Sequence, residues 1–200
     1  KSKSPRSLNK GTCTVEKINI TCFKAYDARG RVPEELNEDI AWRIGRAYAA
    51  FTGAKRVVVG YDIRHSSPEI KDAVSRGLTD SGVEVIDIGR GGTEMVYFAT
   101  FHLELDGGIM VTASHNPKDY NGMKFVREES KPISGDTGLF DIQAMAEKDE
   151  FVAAELPGQL HTLDTAEAYV DHLLSYVDIA ALKPLKIVVD AGNGGAGRVV

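Results

Sequence analysis

The sequence GGIMVTASHNP, at residues 107–117, contains the transition that decides the fold and the position of a candidate site. Its first half is a short apolar run, which is typical of a buried strand. The run ends in a polar turn that presents Ser114 among small residues, and Asn116-Pro117 then breaks regular structure. A hydroxyl at the mouth of a strand is a candidate nucleophile, although its neighbours lack the Gly-x-Ser-x-Gly pattern of hydrolases.

Helix and strand patterns alternate on both sides of this stretch. Asn37 predicts a helix start and Gly53 its end, because the residues between them carry one apolar stripe at helical spacing. Ser67 predicts the cap of a second helix, with Pro68 in its first turn, and Thr93 predicts the cap of a third. Helices are also predicted at 137–148 and from 166, and strands at 56–61, 83–89, 107–113 and 186–190. The alternation favours an α/β fold with a mostly parallel sheet.

Changes in this pattern divide the chain into four predicted segments. Residues 1–19 are predicted to form a flexible tail, and residues 20–150 one α/β domain. The irregular segment 151–163 contains the turn signal Pro157-Gly158 and is predicted to be a linker. Residues 164–200 then predict the start of a second domain, with a helix, a strand and a glycine-rich loop.

Composition and charge exclude several classes of protein. The net charge of −5 argues against a nucleic-acid binder, and no apolar run reaches the length of a membrane span. The polar, basic first twenty residues lack the apolar core of a secretory signal. Cys13 and Cys22 match no metal-binding spacing, so a reducing cytoplasm is the expected location, with a disulfide left open.

Polar turns follow three of the predicted strands. They are Tyr61-Asp62-Ile63-Arg64, Gly89-Arg90-Gly91-Gly92 and Thr112-Ala113-Ser114. Ligands of open α/β sheets collect at the carboxyl ends of the strands, so these turns are expected to form the site. If the loops converge, the cations nearest to Ser114 are Arg29, Lys118 and Lys124, which suits the charge of a phosphoryl group.

Several of these residues have an equally good structural interpretation. Asp62 and Arg64 are either a local ion pair that orients the next turn or a phosphate contact. His115 is either a loop-packing residue or a base beside the hydroxyl. The segment 192–197 matches G-x-G-x-x-G after a strand, which alone would indicate a nucleotide-cofactor enzyme, but a lone match is weak.

Four motifs occur in an order that resembles the α-D-phosphohexomutases, the family of phosphomannomutases and phosphoglucomutases. They are Y-D-x-R-G at 26–30, T-A-S-H-N-P at 112–117 with N-G-M-K at 121–124, S-G-D-T-G at 134–138, and D-A-G-N-G-G-A-G at 190–197. Ala28 departs from the larger aliphatic residue expected in the first motif. The resemblance implies the family's first domain, with a mixed, mostly parallel sheet sandwiched by helices, and the beginning of a similar second domain. In that family the glycine-rich loop is chiefly architectural.

The resemblance also implies a site and a reaction. Phosphorylated Ser114 would exchange a phosphoryl group with a hexose 1- or 6-phosphate through a hexose 1,6-bisphosphate, which also serves as activator. The implied catalytic residues are Ser114, Arg29, Lys124 and His115, and the implied substrate- and phosphate-binding residues are Tyr26, Arg64, Asn116 and Lys118. A Mg²⁺ ion would contact the phosphate on Ser114, with its other ligands expected beyond residue 200.

In the family that the sequence resembles, the loops that separate mannose from glucose phosphate belong to later domains. We expect the 200 residues alone to be inactive, because those domains also hold the distal phosphate. The alternative interpretations are a non-catalytic sugar-phosphate-binding module, if 200 residues is the natural length, and the nucleotide-cofactor enzyme.

Overall fold

The computed structural model describes residues 18–192 and residue 195. Six strands and five α-helices alternate along this part of the chain, confirming the predicted α/β class. The strands are β1 (Ala28–Arg31), β2 (Arg56–Tyr61), β3 (Glu84–Arg90), β4 (Gly107–Val111), β5 (Tyr120–Arg127) and β6 (Leu160–Thr162). The helices are α1 (Glu38–Thr52), α2 (Ser67–Asp80), α3 (Thr93–His102), α4 (Leu139–Lys148) and α5 (Ala166–Leu174).

The strands form one mixed sheet in the order β1-β5-β4-β2-β3-β6. Strands β2, β3, β4 and β6 are parallel, whereas β5 runs antiparallel to both β4 and β1. Parallel strands place their carboxyl ends at one edge, so the turns after β2, β3 and β4 share that edge. The loop that carries Ser114 joins β4 to β5 there.

Helices cover both faces of the sheet, giving three layers. Successive strand residues point to opposite faces, so Val57 and Val59 join the larger core with α1, α2 and α4, while Val58 joins the smaller core with α3. Helix α5 reaches this smaller core through Tyr169, whose ring lies 5.4 Å from that of Phe98. Since the central strands are buried on both faces, their ends are the favoured place for exposed polar groups.

The predicted helix signals agree closely with the structure at α1. The Asn37 side chain accepts a hydrogen bond from the N–H of Ile40 at 3.0 Å, and Gly53 ends the helix with φ of 66°. At α2 the predicted cap is wrong by one residue, because Ser66 precedes the helix and the Ser67 hydroxyl is engaged by Asp62. At α3 it is also wrong by one, because the cap is Gly92 and Thr93 is the first helical residue.

Three strands were not predicted and one predicted strand does not form. Strands β1 and β5 contain turn-type residues, and β6 is three residues long and lies inside the predicted linker 151–163. Residues 186–190 have no strand partner in the described ranges, where Val188 is 96% exposed. A strand needs a neighbour to satisfy its backbone hydrogen bonds. The predicted domain boundaries stay predictions, and the 1–19 tail lies almost wholly outside the described residues.

Burial makes the one described cysteine unreactive. Cys22 is a free, buried thiol, and desolvation raises its pKa to about 12 despite an opposing backbone hydrogen bond. Cys13 and most of the 192–197 loop lie outside the described residues. None of the helices in the described ranges is long and apolar enough to cross a membrane.

Two glycines allow α1 and α2 to approach closely. A Cβ on Gly77 would lie 2.1 Å from the carbonyl oxygen of Trp42, and one on Gly45 would lie 2.4 Å from that of Val74. Both obstacles are backbone atoms, which cannot move without separating the helices. Gly77 therefore allows α1 and α2 to pack closely, and it lies within α2 without interrupting the helix.

We expect Gly77→Ala to lower the free energy of unfolding by about 1–3 kcal/mol, the usual scale of overpacking, although alanine is the better helix former. The control is Arg76→Ala on the exposed side of the same helix, which should change it by no more than about 0.5 kcal/mol. Urea unfolding of both variants measures the difference. Equal stability of the two variants would contradict the packing argument.

Candidate active site

Ser114 lies exposed at the carboxyl end of β4, where the chain leaves the sheet. Its backbone adopts a φ of 53°, a left-handed conformation that is uncommon outside glycine and often marks functional sites. The N–H of Ser114 donates to the Thr112 hydroxyl at 2.9 Å, and the N–H of Asn116 donates to the Ala113 carbonyl at 3.0 Å. These bonds form a tight turn that presents the serine hydroxyl to solvent.

Arg29 and Lys124 are brought together by the pairing of β1 with β5. Arg29 lies opposite Gly122, and Lys124 is two residues farther along β5, so both side chains leave the same face of the sheet. Arg29 also donates to the side-chain oxygen of Asn116 at 2.8 Å, which ties it to the serine loop. The structure therefore places Arg29 and Lys124 on one face of the sheet and joins Arg29 to the serine loop through Asn116, while the roles predicted for these residues stay predictions.

Asp27 links the two cations. One of its carboxylate oxygens accepts from Arg29 at 2.8 and 3.0 Å and from the Lys124 ammonium at 3.0 Å. Asp27 is 7% exposed, and Arg29 and Lys124 are only partly exposed, so solvent screens these contacts less than surface pairs. Sequence reasoning did not assign Asp27 a role, although an Asp-x-Arg pair at the start of a strand places both side chains on one face.

Gly122 is required by the close approach of β1 and β5. A Cβ at this position would lie 2.1 Å from the carbonyl oxygen of Ala28 and 3.0 Å from that of Thr112. The neighbouring Asn121 is fully buried and donates to the hydroxyls of Ser66 and Ser67 at 2.9 and 3.0 Å. The Asn121-Gly122 pair has the composition of a turn, so sequence reasoning missed its place inside a strand.

Arg64, predicted either as a phosphate contact or as part of a local ion pair with Asp62, directs its guanidinium at the serine loop. Its four terminal N–H groups donate to backbone carbonyls of the serine loop at 2.7–2.9 Å, and its Nε lies 3.3 Å from an Asp62 oxygen. The donors are therefore already occupied, and the structure supports the alternative interpretation, a residue that orients the turn. Asp62, the partner of Arg64 in the predicted ion pair, lies beside it in the structure.

The other predicted residues differ in how they join the site. The Nδ1 of His115 lies 3.3 Å from the Ser114 hydroxyl oxygen, so this ring is in contact with the candidate nucleophile. Tyr26 is 77% exposed, and Lys118 is exposed at the tip of the loop. Within the described ranges neither side chain contributes a hydrogen bond or ion pair, so a binding role for either stays a prediction.

The residues around Ser114 do not form a magnesium site by themselves. In the part of the chain that the structure describes, no group of three or more metal-ligating side chains occurs. Asp27 is bound by two cations, and Asp62 accepts bonds from Ser67, Thr112 and Arg64. Mg²⁺ prefers several oxygen ligands in octahedral geometry. A phosphate on Ser114 would supply one of them.

Together, these observations define a three-layer α/β/α domain with a serine nucleophile candidate at the carboxyl edge of its sheet. A family model described as "Phosphoglucomutase/phosphomannomutase, alpha/beta/alpha domain I" matches residues 21–153. The chain belongs to the phosphoglucomutase/phosphomannomutase family, as the order of its motifs indicates.

Named relatives agree with this assignment. The chain is 58% identical over 184 residues to a phosphomannomutase of Salmonella montevideo, covering 91% of this chain and 40% of the relative. It is 58% identical over 183 residues to a protein of Xanthomonas campestris pv. campestris (strain B100) named "Phosphohexose mutases", covering 92% and 41%. A crystal structure of a phosphoglucomutase/phosphomannomutase family protein from Burkholderia thailandensis matches with a TM-score of 0.79 and 38% identity, covering 89% of this chain and 40% of that one. The chain therefore spans about 40% of the length of these relatives.

We expect Asp27→Asn to lower the free energy of unfolding by about 1–3 kcal/mol, because it weakens charged hydrogen bonds and leaves two cations facing each other. The control is Glu129→Gln, which breaks a fully exposed pair with Lys131 and should leave the free energy of unfolding nearly unchanged, because solvent screens such pairs. Denaturant unfolding compares the two. A loss for Asp27→Asn no larger than that of the control would contradict the bridging role.

Proposed function

We propose that the full-length protein containing this chain interconverts hexose 1-phosphate and hexose 6-phosphate through phosphorylated Ser114. The observation that carries the proposal is the exposed Ser114 hydroxyl on a left-handed turn, with its loop tied through Asn116 to the paired cations Arg29 and Lys124. Family membership and the names of the relatives support the class of reaction. Positive charge beside a phosphoryl group is what transfer requires of a protein.

In the proposed reaction a hydroxyl oxygen of the bound hexose phosphate attacks the phosphorus of phospho-Ser114. A bond from that oxygen to phosphorus forms, the bond to the serine oxygen breaks, and the product is a hexose 1,6-bisphosphate. The proton of the sugar hydroxyl moves to a base, and the serine oxygen receives a proton. The bisphosphate then reorients, and the Ser114 oxygen attacks the phosphorus of its other phosphoryl group. A bond from the serine oxygen to that phosphorus forms, the bond to the second sugar oxygen breaks, the serine proton moves to a base, and the sugar oxygen receives a proton.

The positions of the residues around Ser114 indicate a separate role for each of them in the proposed reaction. Arg29 and Lys124 would stabilise charge on the transferred group, because both are held near the loop and neither is fully buried. The His115 ring, 3.3 Å from the serine oxygen, is placed to hold the proton there, and Lys124 is the other candidate for proton transfer. Asn116 would keep Arg29 directed toward the loop.

Magnesium, a predicted cofactor, is proposed only as a partner of the phosphate on Ser114. When bound, such an ion neutralises charge on a phosphoryl group. The remaining ligands are proposed to come from residues after 200, and so are the loops that choose between mannose and glucose phosphate. For the same reason we expect the 200-residue chain alone to be inactive, which a sugar-phosphate-binding module of natural length would also be.

We expect Ser114→Ala to abolish turnover of hexose phosphates by the full-length protein, because no oxygen remains to hold the phosphoryl group between transfers. The control is Ser175→Ala, at an exposed serine near the end of α5, which should retain normal turnover. A coupled assay with hexose 1-phosphate and a trace of hexose 1,6-bisphosphate measures both. Normal turnover by Ser114→Ala would exclude the covalent mechanism.

We also expect Arg29→Met and Lys124→Met each to reduce kcat by about 100-fold or more, the usual scale for positioned acid–base and charge-stabilising groups. Methionine keeps much of the apolar stem and removes the charge. Lys131→Met, at an exposed lysine that follows β5 in the chain, is the matched control and should be neutral. Rates within threefold of the unmodified protein would show that these cations do not assist the reaction.

A further inference from the structure

Arg64 holds the whole loop from Ser114 to Tyr120 through its backbone. One terminal nitrogen donates to the carbonyls of Ser114 and Asn116 at 2.8 and 2.7 Å, and the other donates to those of Pro117 and Tyr120 at 2.7 and 2.9 Å. The Arg64 side chain is only 10% exposed. Every terminal N–H of the guanidinium is thus bonded to the loop, and a single lysine ammonium has too few donors to do the same.

Asp62 holds the N–H of Ser114 through the hydroxyl of Thr112. One of its oxygens accepts from the Ser67 hydroxyl at 2.6 Å and the Arg64 N–H at 3.0 Å, and the other accepts from the Thr112 hydroxyl at 2.7 Å. The Thr112 oxygen in turn accepts from the N–H of Ser114 at 2.9 Å. Both backbone groups of Ser114 are therefore held, the N–H through Thr112 by Asp62, and the C=O by Arg64.

From this geometry we infer that Asp62 and Arg64 form a positioning pair that fixes the direction of the Ser114 hydroxyl for phosphoryl transfer. The inference rests on the proposed function. With its N–H and C=O held, Ser114 keeps the left-handed backbone, with φ of 53°, and only the rotation of its side chain stays free. Positioning of this kind is a main source of rate in phosphoryl transfer.

The occupied donors of Arg64 separate this role from substrate binding. Because its terminal N–H groups all go to loop carbonyls and its buried Nε lies 3.3 Å from an Asp62 oxygen, the guanidinium offers no accessible N–H to a sugar phosphate. Loss of the bonds from Arg64 to the loop should therefore reduce kcat and the rate of Ser114 phosphorylation. It should change KM for the hexose phosphate by no more than about threefold. A residue that contacts substrate would instead raise KM.

The test uses the full-length protein with Arg64→Lys and Arg64→Ala, and with Arg127→Lys at an exposed position of β5 as control. We expect kcat to fall about 100-fold in both Arg64 variants, the scale of a small misplacement of a reacting group. Amide hydrogen exchange across residues 112–121 should become faster. Added guanidinium should restore part of the activity of Arg64→Ala, and it should not help Arg64→Lys. Arg127→Lys should match the unmodified protein.

The possible outcomes distinguish failure of the positioning inference from failure of the proposed function. If folded Arg64 variants keep a normal kcat, or raise KM at constant kcat, the inference that Asp62 and Arg64 position Ser114 is wrong. If Arg64→Ala does not fold, the same comparison is made with Arg64→Lys alone. If exchange stays slow across 112–121 in both variants, the loop does not depend on Arg64 and the inference fails. If Ser114 of the unmodified protein is not phosphorylated by hexose 1,6-bisphosphate, the proposed function fails. Faster amide exchange across residues 112–121 in the Arg64 variants would still show that Arg64 holds the loop.

Discussion

The Asp62 carboxylate joins the ends of β2 and β4 to the start of α2, and the rest of the site depends on this junction. Both of its oxygens are used, toward Ser67, Thr112 and Arg64. A partly buried carboxylate is stable only when its lone pairs are satisfied, so these partners are not interchangeable with solvent. The turn from β2 to α2 and the end of β4, 50 residues apart in sequence, thereby meet at one charged group, which supports the serine loop.

The sheet explains why the polar groups collect where they do. Its central strands are buried on both faces by the two cores, which leaves the carboxyl ends as the place for charge. The antiparallel pair β1 and β5 adds what the parallel strands do not supply, a pair of cations beside the serine loop. Asp27 keeps that pair together, so positive charge is concentrated near Ser114 without direct repulsion between Arg29 and Lys124.

Local signals made much of this fold predictable. The cap and the end of α1 and the bounds of β2 follow from residue types that act within a few positions. The strands that were missed are short or contain turn-type residues, and their conformation depends on partners distant in sequence. The bonds of Arg64 could not be predicted for the same reason, since the four carbonyls converge only after β4 and β5 have paired. The family motifs singled out Arg29, Lys124 and Asn116, whose roles stay predictions, but they carried no information about Asp27 as the bridge between the two cations.

The most direct test of the account is to locate the phosphate after reaction. The full-length protein is incubated with hexose 1,6-bisphosphate, digested, and analysed by tandem mass spectrometry with site-resolving fragmentation. The account predicts one stoichiometric phosphate on Ser114, which is lost when excess hexose monophosphate is added. A phosphate on any other residue, or no transfer to the protein while hexose phosphates are still interconverted, would contradict it.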